Sequence, residues 1–266
     1  CDGSGRLMVD TKCSNCWRSD MDPIQDIKRP SKKLIATLHE HVSAATASGD
    51  LNKLGIRNAF IQGPLPFTPG KKVVGPALTL QFMPKRDDIY PDGEYVEPET
   101  QLHRHALYNT QPGDLIVVDA MGRLDSGVFG NMMLTYFHGA GGIGAIVDGC
   151  IRDYAESRDI GLGLWLKGVT PNFHTQTEMF PYAVNVPVNC SGTYVAPGDI
   201  IIADDDGAVV VPIHLAEELA ERGQEHAEWE EFSREKLEAG GDLRRYYPLT
   251  EEARPEYEEW KRNQGR

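Results

Sequence analysis

Apolar residues recur along this chain in two rhythms, and their order predicts an architecture. Leu34, Ile35, Leu38 and Val42 follow one another at helical spacing behind Ser31, a favoured N-cap residue. A helix is expected to begin there and to end at Gly49, with a short second turn over 50–55. From Val73 to Phe82 the chain is almost continuously apolar, the pattern of a buried strand, and Gly75-Pro76 marks a kink in it. Leu102, Ala106 and Leu107 share one face of a helix expected over 99–108. Leu115-Ile116-Val117-Val118-Asp119 is a second strand, entered through the turn Pro112-Gly113-Asp114. Gly130 opens another helix, which Gly139-Ala140-Gly141-Gly142 breaks. Ala145-Ile146-Val147 then reads as a buried strand closed by Asp148-Gly149. A short helix over 154–160 and strands over 162–166 and 184–188 follow. Two apolar runs around Asp205-Asp206-Gly207, Ile200 to Ala203 and Ala208 to Val211, form the clearest hairpin. The helix expected over 214–239 carries one apolar stripe of Trp229, Phe232 and Leu237.

Strands alternate with helices over the first two-thirds and hairpins dominate the rest, which is the order of an α/β protein with a mixed sheet. Residues 1–30 are polar and without period, and are expected to be a poorly ordered leader. Residues 31–240 form the main domain. The tail, 241–266, is charged but also aromatic (Tyr246, Tyr247, Tyr257, Trp260), so it is expected to pack on something, with a neighbouring subunit as the candidate.

Composition narrows the function classes. The chain has 266 residues, 40% of them hydrophobic and 25% charged, which is ordinary for a globular protein with a sizeable core. The net charge of −13 repels a phosphate backbone and argues against nucleic acid as a direct partner. No apolar run approaches the roughly 20 residues that cross a bilayer, and the basic-then-apolar order of a secretion signal is missing. A cytoplasmic setting is the expectation. Cys13 and Cys16 make a lone CxxC, half of a tetrahedral zinc site, and are read as incidental.

The chemistry-bearing candidates cluster after the strands. Arg152 and Asp153 follow the Ala145 strand side by side, offering an anion-binding guanidinium and a cation-binding carboxylate. Gly130 leaves free N–H groups at a helix start, where an anion binds well. Against this, Asp153 precedes a helix and Asp is itself a favoured cap. Asp119 ends a buried strand and Asp125 sits in the loop expected over 122–127, where α/β sheets place ligands, although turn chemistry also explains them. The glycines of 139–144 follow a helix and precede a strand, the reverse of a dinucleotide fingerprint. Asp204-Asp205-Asp206 is explained by the hairpin turn, and Lys167 by a solvated strand end in preference to a Schiff base. His174, in a Pro/Asn-rich loop, is the histidine whose setting suggests substrate contact.

Taken together, several segments resemble one known family. They are Gly113 to Asp119, Phe129-Gly130-Asn131-Met132-Met133, Gly144 to Asp153, Gly168-Val169-Thr170-Pro171, Val186-Pro187-Val188, and Pro197-Gly198-Asp199 on through Asp204-Asp205-Asp206-Gly207 to Pro212. In sequence and spacing they are similar to the family that unites the 4-hydroxy-4-methyl-2-oxoglutarate aldolases with the regulators of ribonuclease activity A. The resemblance runs from about residue 31 to 240. It implies an RraA-like swivelling β/β/α sandwich, assembled as homotrimers or hexamers with sites between subunits. It also implies a class II pyruvate aldolase that needs Mg²⁺ or Mn²⁺ and decarboxylates oxaloacetate, passing through a pyruvate enolate. On that resemblance Asp153 is the metal ligand and Arg152 binds the carboxylate and keto oxygen of a small 2-oxo acid. The backbone of Gly130, Asn131, Met132 and Met133 cradles the carboxylate, and Glu230 or Glu231 of a neighbouring subunit faces the site. Asn131 departs from the acidic residue usual there, and the segment His174-Thr175-Gln176-Thr177 is this chain's own. Both departures bear on the choice of substrate. The alternative within the same family is a non-catalytic module that binds a ribonuclease.

Overall fold

The computed structural model describes residues 24–86, 101–174 and 177–265. Most of the expected leader, with Cys13 and Cys16, residues 87–100, and Thr175 and Gln176 lie outside these residues.

Two sheets stack face to face and share one long strand. In chain order the elements are α1 (Lys32–His41), α2 (Ala44–Lys53), β1 (Phe60–Ile61), β2 (Leu65–Pro66), β3 (Val73–Pro84), α3 (Leu102–Tyr108), β4 (Leu115–Gly127), α4 (Asn131–Gly139), β5 (Gly144–Ile151), α5 (Tyr154–Ser157) and β6 (Gly163–Val169). The short strands β7 (Met179–Val184), β8 (Val188–Cys190) and β9 (Thr193–Val195) precede the hairpin β10 (Ile200–Asp204) and β11 (Gly207–Val211). The helices α6 (Ala216–Glu238), α7 (Leu243–Tyr246) and α8 (Arg254–Gln264) close the chain. The first half of β3 pairs antiparallel with β10, from Val73 opposite Ala203 to Pro76 opposite Ile200. From Ala77 onward it pairs parallel with β4. The expected kink at Gly75-Pro76 is therefore where the strand passes from one sheet to the other. Gly75 is required there, since a Cβ would lie 2.2 Å from the Gly113 carbonyl oxygen.

Period-two alternation sorts the side chains into three cores. Val74, Ile200, Ile202, Val209 and Val211 face outward and are covered by α1, α2 and α6. Their sequence neighbours Val73, Ile201, Ala203, Ala208 and Val210 face inward and meet Leu115, Val117, Ile146 and Trp165 of the second sheet. Ile116, Val118, Ala145, Val147, Leu164 and Leu166 occupy the far side of that second sheet, where Leu134 and Phe137 of α4 pack on them. The β-on-β sandwich of the expectation is present, with helices on both of its outer faces. Trp165 fastens the two sheets: its indole is fully buried between them and donates to the Asp204 carbonyl at 2.8 Å.

Several local expectations are corrected. Gly49 does not end the first helix; α1 stops at His41, Ser43 caps α2 by accepting from the Thr46 amide at 3.0 Å, and Gly49 lies inside α2. Residues 24–30 belong to the fold, because Ile27 is buried in the core and Arg29 grips the buried Asp114 carboxylate through two contacts of 2.9 Å. The strand expected over 184–188 is a connection, turned at Asn185 (φ 53°) between β7 and β8. The aromatic tail closes on its own chain, where Tyr246, Tyr257 and Trp260 surround the buried Phe232 of α6. Glu256 of α8 locks this cluster by accepting from Lys236, Arg245 and Tyr246, and these partners hold its carboxyl down at about 2.

Candidate active site

The strands β3, β4, β5 and β6 run parallel, and the site forms beyond their carboxyl ends, where open α/β sheets bind ligands. After Asp119 the pairing of β4 with β5 shifts twice, carrying the chain outward through a rim and back to Gly127. From there Val128 donates to the Cys150 carbonyl at 3.0 Å, and Phe129 accepts from the Arg152 amide at 2.9 Å. These two bonds set the start of α4 against the Arg152-Asp153 pair that leaves β5. The approach is too close for a side chain at Gly130, where a Cβ would sit 2.7 Å from Asp153 Oδ2 and 2.9 Å from Arg152 Nε.

Asp153 is the residue just before α5, but its carboxylate does not cap that helix. Its backbone is left-handed (φ 56°, ψ 40°), an uncommon state for a residue with a side chain and one that gathers at functional sites. In that state the carboxylate turns back toward α4. Oδ2 lies 3.3 Å from the Asn131 amide and 3.7 Å from Arg152 Nε, and 44% of the side chain remains exposed. The segment behind it is anchored, since Ser157 Oγ donates to the Asp153 carbonyl at 2.8 Å and Tyr154 OH donates to the Phe67 carbonyl at 2.7 Å. Arg152 lies with its guanidinium carbon 5.5 Å from the centre of the Phe173 ring, a cation–π contact that orients it without consuming its charge.

Arg152, Asp153, Gly130, Met132, Met133 and His174 line one cavity of about 70 Å³, together with Gly127, Val128, Phe173 and His103. That is room for a small acid and far below what a dinucleotide needs. The expected backbone cradle is only partly available. Met133 N–H donates to the Gly130 carbonyl at 3.1 Å, and Asn131 N–H is directed at Asp153. The Asn131 side chain accepts from Thr135 Oγ1 at 3.1 Å, along the helix instead of across the cavity. His174 is buried, and burial together with the nearby Arg152 charge lowers its imidazole to about 4.

His103 was not among the sequence candidates. It is 2% exposed and its ring centre lies 4.5 Å from that of His174. The signal was its position: His103, Ala106 and Leu107 share the buried face of α3, so a histidine stands where the helical period calls for an apolar residue. Burial, reinforced by His174, Arg104 and His105, holds its imidazole well below the usual range.

Other candidates lie elsewhere. Lys167 pairs with the buried Asp148 carboxylate, which also accepts from Ser191 Oγ at 2.6 Å, so it is a partly exposed ion-pair partner away from the cavity and not a free strand-end lysine. Asp125 is held by Arg123 in two contacts of 2.9 and 2.6 Å. Asp119 accepts from the Met121 amide at 3.0 Å, and burial raises its carboxyl. Asp204 accepts from the Ala44 amide at the start of α2, and Asp205 from the Gly70 amide, each at 2.8 Å. Glu230 bonds His226 at 3.1 Å on α6, which packs on α1 and α2 across both sheets from the cavity. Within one chain, neither Glu230 nor Glu231 reaches the site.

Comparison with known proteins gives a family match and several similar chains. The family profile described as RraA-like, Aldolase/RraA, matches residues 35–210. A protein of Halalkalibacterium halodurans that carries the provisional name 4-hydroxy-4-methyl-2-oxoglutarate aldolase is 30% identical over 159 residues, which is 60% of this chain and 69% of the relative. Among solved structures, Streptomyces coelicolor RraAS2, described as an unusual member of the RNase ES inhibitor RraA protein family, is 44% identical with a TM-score of 0.72. That alignment covers 78% of this chain and all of RraAS2. An uncharacterized protein of Pseudomonas syringae pv. tomato gives the same TM-score of 0.72 at 25% identity, covering 86% of this chain and all of that one.

Proposed function

The chain belongs to the RraA-like family, Aldolase/RraA, and from that premise we propose that it is a divalent-metal-dependent carbon–carbon lyase. Its substrate is a 4-hydroxy-2-oxo acid or oxaloacetate, and pyruvate is one product. The observation that carries this reading is the convergence of Arg152, Asp153 and the start of α4 on one small cavity, with Asp153 turned away from its own helix.

The residues fit a hard divalent cation. Among the described residues no group of three His, Cys, Asp or Glu side chains could hold a metal ion. A single carboxylate with water in the other positions is the donor set that Mg²⁺ accepts, and Mn²⁺ takes similar oxygen ligands. Asp153 would hold the ion, and the missing side chain at Gly130 leaves the space beside Oδ2 open. When bound, the metal acts as a Lewis acid toward the charge that develops on the 2-oxo oxygen as the carbon–carbon bond breaks.

The chain's own groups bind and orient the substrate. Arg152 offers a planar fork to the substrate carboxylate, and the Phe173 ring keeps that fork in place before substrate arrives. The positive end of α4 adds a smaller field of the same sign. The floor of Phe173, His174 and His103 keeps water away from the back of the cavity, which strengthens each of these interactions. No lysine is required, in keeping with the pairing of Lys167 to Asp148. The same reading has the protein working as a homotrimer or hexamer, with Glu230 or Glu231 of a neighbouring chain completing the site.

The test is metal-stimulated pyruvate release by purified Arg152→Ala and Asp153→Ala, each checked for folding by circular dichroism. Losing a preorganised group of this kind costs roughly 3–4 kcal/mol, a drop of about 10²–10³ in kcat. Near-normal turnover in either variant removes the site. A second reading is favoured by the similarity to RraAS2: a module that binds and restrains a ribonuclease. Inhibition of a ribonuclease by the purified chain, with no pyruvate released from any 2-oxo acid, would establish it instead.

A further inference from the structure

The floor of the cavity carries polar groups that the chemistry above leaves without a task. We propose that His103 determines specificity, as the hydrogen-bond partner of the oxygen on C4 of a 4-hydroxy-2-oxo acid. The half of the substrate that does not become pyruvate then carries an uncharged hydroxyl or carbonyl there, not a second carboxylate. This rests on the lyase reading and deepens it by naming the substrate class.

Three observations support the assignment. His103 lines the same cavity as Arg152 and Asp153 but comes from a separate element, α3, so a ligand held by the pair shares that small space with the imidazole. Its Nδ1 is buried and has no hydrogen-bond partner among the described residues. Buried nitrogens are seldom left this way, and a ligand oxygen is a partner that the cavity can admit. The surroundings then decide what kind of oxygen. His103 lies against Phe82, Phe129 and His174, with ring centres 6.3, 6.5 and 4.5 Å away. Among the described residues lining the cavity, Arg152 is the one permanent cation, and the pyruvate half uses it.

The chemistry of the ring follows. With its proton on Nδ1, a neutral imidazole donates from that atom, and it can serve the oxygen of a substrate hydroxyl and the carbonyl of the departing aldehyde alike. The burial that keeps His103 neutral also makes it a poor counter-ion for a carboxylate, whose charge would go unmatched at that depth. A floor built to bond an oxygen rejects analogues that lack it, because its own polar atom is then left orphaned.

The experiment compares kcat/KM for pyruvate release from 4-hydroxy-2-oxopentanoate, which has the C4 hydroxyl, and from oxaloacetate, which does not. It uses the full-length protein with Mg²⁺, as wild type, His103→Phe and His103→Asn. The phenyl ring keeps the shape and removes both nitrogens, so the ratio of the two constants should fall about tenfold. The Asn amide restores a polar atom near Nδ1 and should recover most of the ratio. An unchanged ratio in folded His103→Phe overturns the assignment, as does a wild type that prefers oxaloacetate. If neither variant folds, wild-type ¹⁵N NMR decides. The His103 Nδ1 resonance should move when acetaldehyde is added over saturating pyruvate and Mg²⁺, and a static resonance overturns the proposal. A wild type that releases pyruvate from neither substrate overturns the lyase reading itself and His103 with it. Release with an unchanged ratio overturns His103 alone.

Discussion

A single methyl group at Gly130 tests the site without removing any of its functional atoms. The backbone there (φ −110°, ψ 174°) is open to alanine, so Gly130→Ala introduces no backbone strain. What it introduces is a collision. Its Cβ would lie 2.7 Å from Asp153 Oδ2 and 2.9 Å from Arg152 Nε, where ordinary contact begins at 3.4 Å, so both side chains must retreat by about 0.5–0.7 Å. Both are partly exposed and can move outward, and most of the loss in stability comes from α4, for which Ala is a poorer N-cap than Gly. The stability cost is therefore about 1 kcal/mol, a fall of a few degrees in Tm. The catalytic cost is larger, because misplacement of about 1 Å can cost some 10²-fold in rate. We expect kcat/KM for pyruvate release to fall roughly 10- to 100-fold in a protein that melts nearly as wild type. Gly139→Ala, at the other end of α4 where an added Cβ meets nothing within 4 Å, is the control and should retain activity. Wild-type kinetics in Gly130→Ala would refute the reasoning, since the pair could then function away from the geometry described.

Further predictions concern stability. His174 has an ordinary value of 6.5 when unfolded and about 4 when folded, so the unfolded chain binds more protons between those values. Its contribution is present above pH 6.5 and disappears as the pH falls toward 4, by about 3 kcal/mol in total. Urea titrations across that window should show this loss, and His174→Phe should flatten it; an equal slope in the variant would refute the assignment. Asp148→Ala strands Lys167 and the Ser191 hydroxyl, and because Lys167 is a quarter exposed the cost should sit near the low end for a buried pair, about 3 kcal/mol. A loss below 1 kcal/mol by denaturant unfolding would show that the pair is not coupled. Phe232→Ala empties the centre of the aromatic cluster and should cost about 3–5 kcal/mol. It should also expose the tail to limited proteolysis, and a tail as protected as in wild type would contradict the packing.

The sandwich was legible because its strands are fully buried and their order is simple. Apolar runs at 73–82, 115–118, 145–147, 200–203 and 208–211 read as strands between layers, and each lies in one. The misreadings occur where a local signal competes with a tertiary one. Gly49 reads as a helix end because glycine costs about 1 kcal/mol inside a helix. Ala47 and Leu51, both fully buried, outweigh that cost, while Val42 and Ser43 make the real break. Beyond Asp119 the sequence turns polar at Arg123 and Asp125, which suggests a loop. The chain turns at Met121 and Gly122 (φ 56° and 68°) yet stays in the sheet, because two register shifts let its edge bond β5 while the polar side chains face solvent.

At the site the difficulty is of another kind, because one residue type serves two purposes. An aspartate before a short helix is a cap in most chains, and no side-chain spacing distinguishes that from a metal ligand. The backbone angle does. With an extended backbone the carboxylate would reach forward to the first amides of α5; with φ at 56° it points back at α4 and Arg152. A left-handed aspartate costs of order 1 kcal/mol and forfeits a capping bond, so a merely structural aspartate here would relax. That it does not follows from the close approach of Gly130, the Ser157 and Tyr154 anchors, and the bond between Arg152 N–H and Phe129. Each of these is a contact between segments more than 20 residues apart or a side chain on the next turn. His103 escaped notice for the complementary reason: its helical position marks it as core, and only the third dimension brings that core position to the cavity that Arg152 and Asp153 line.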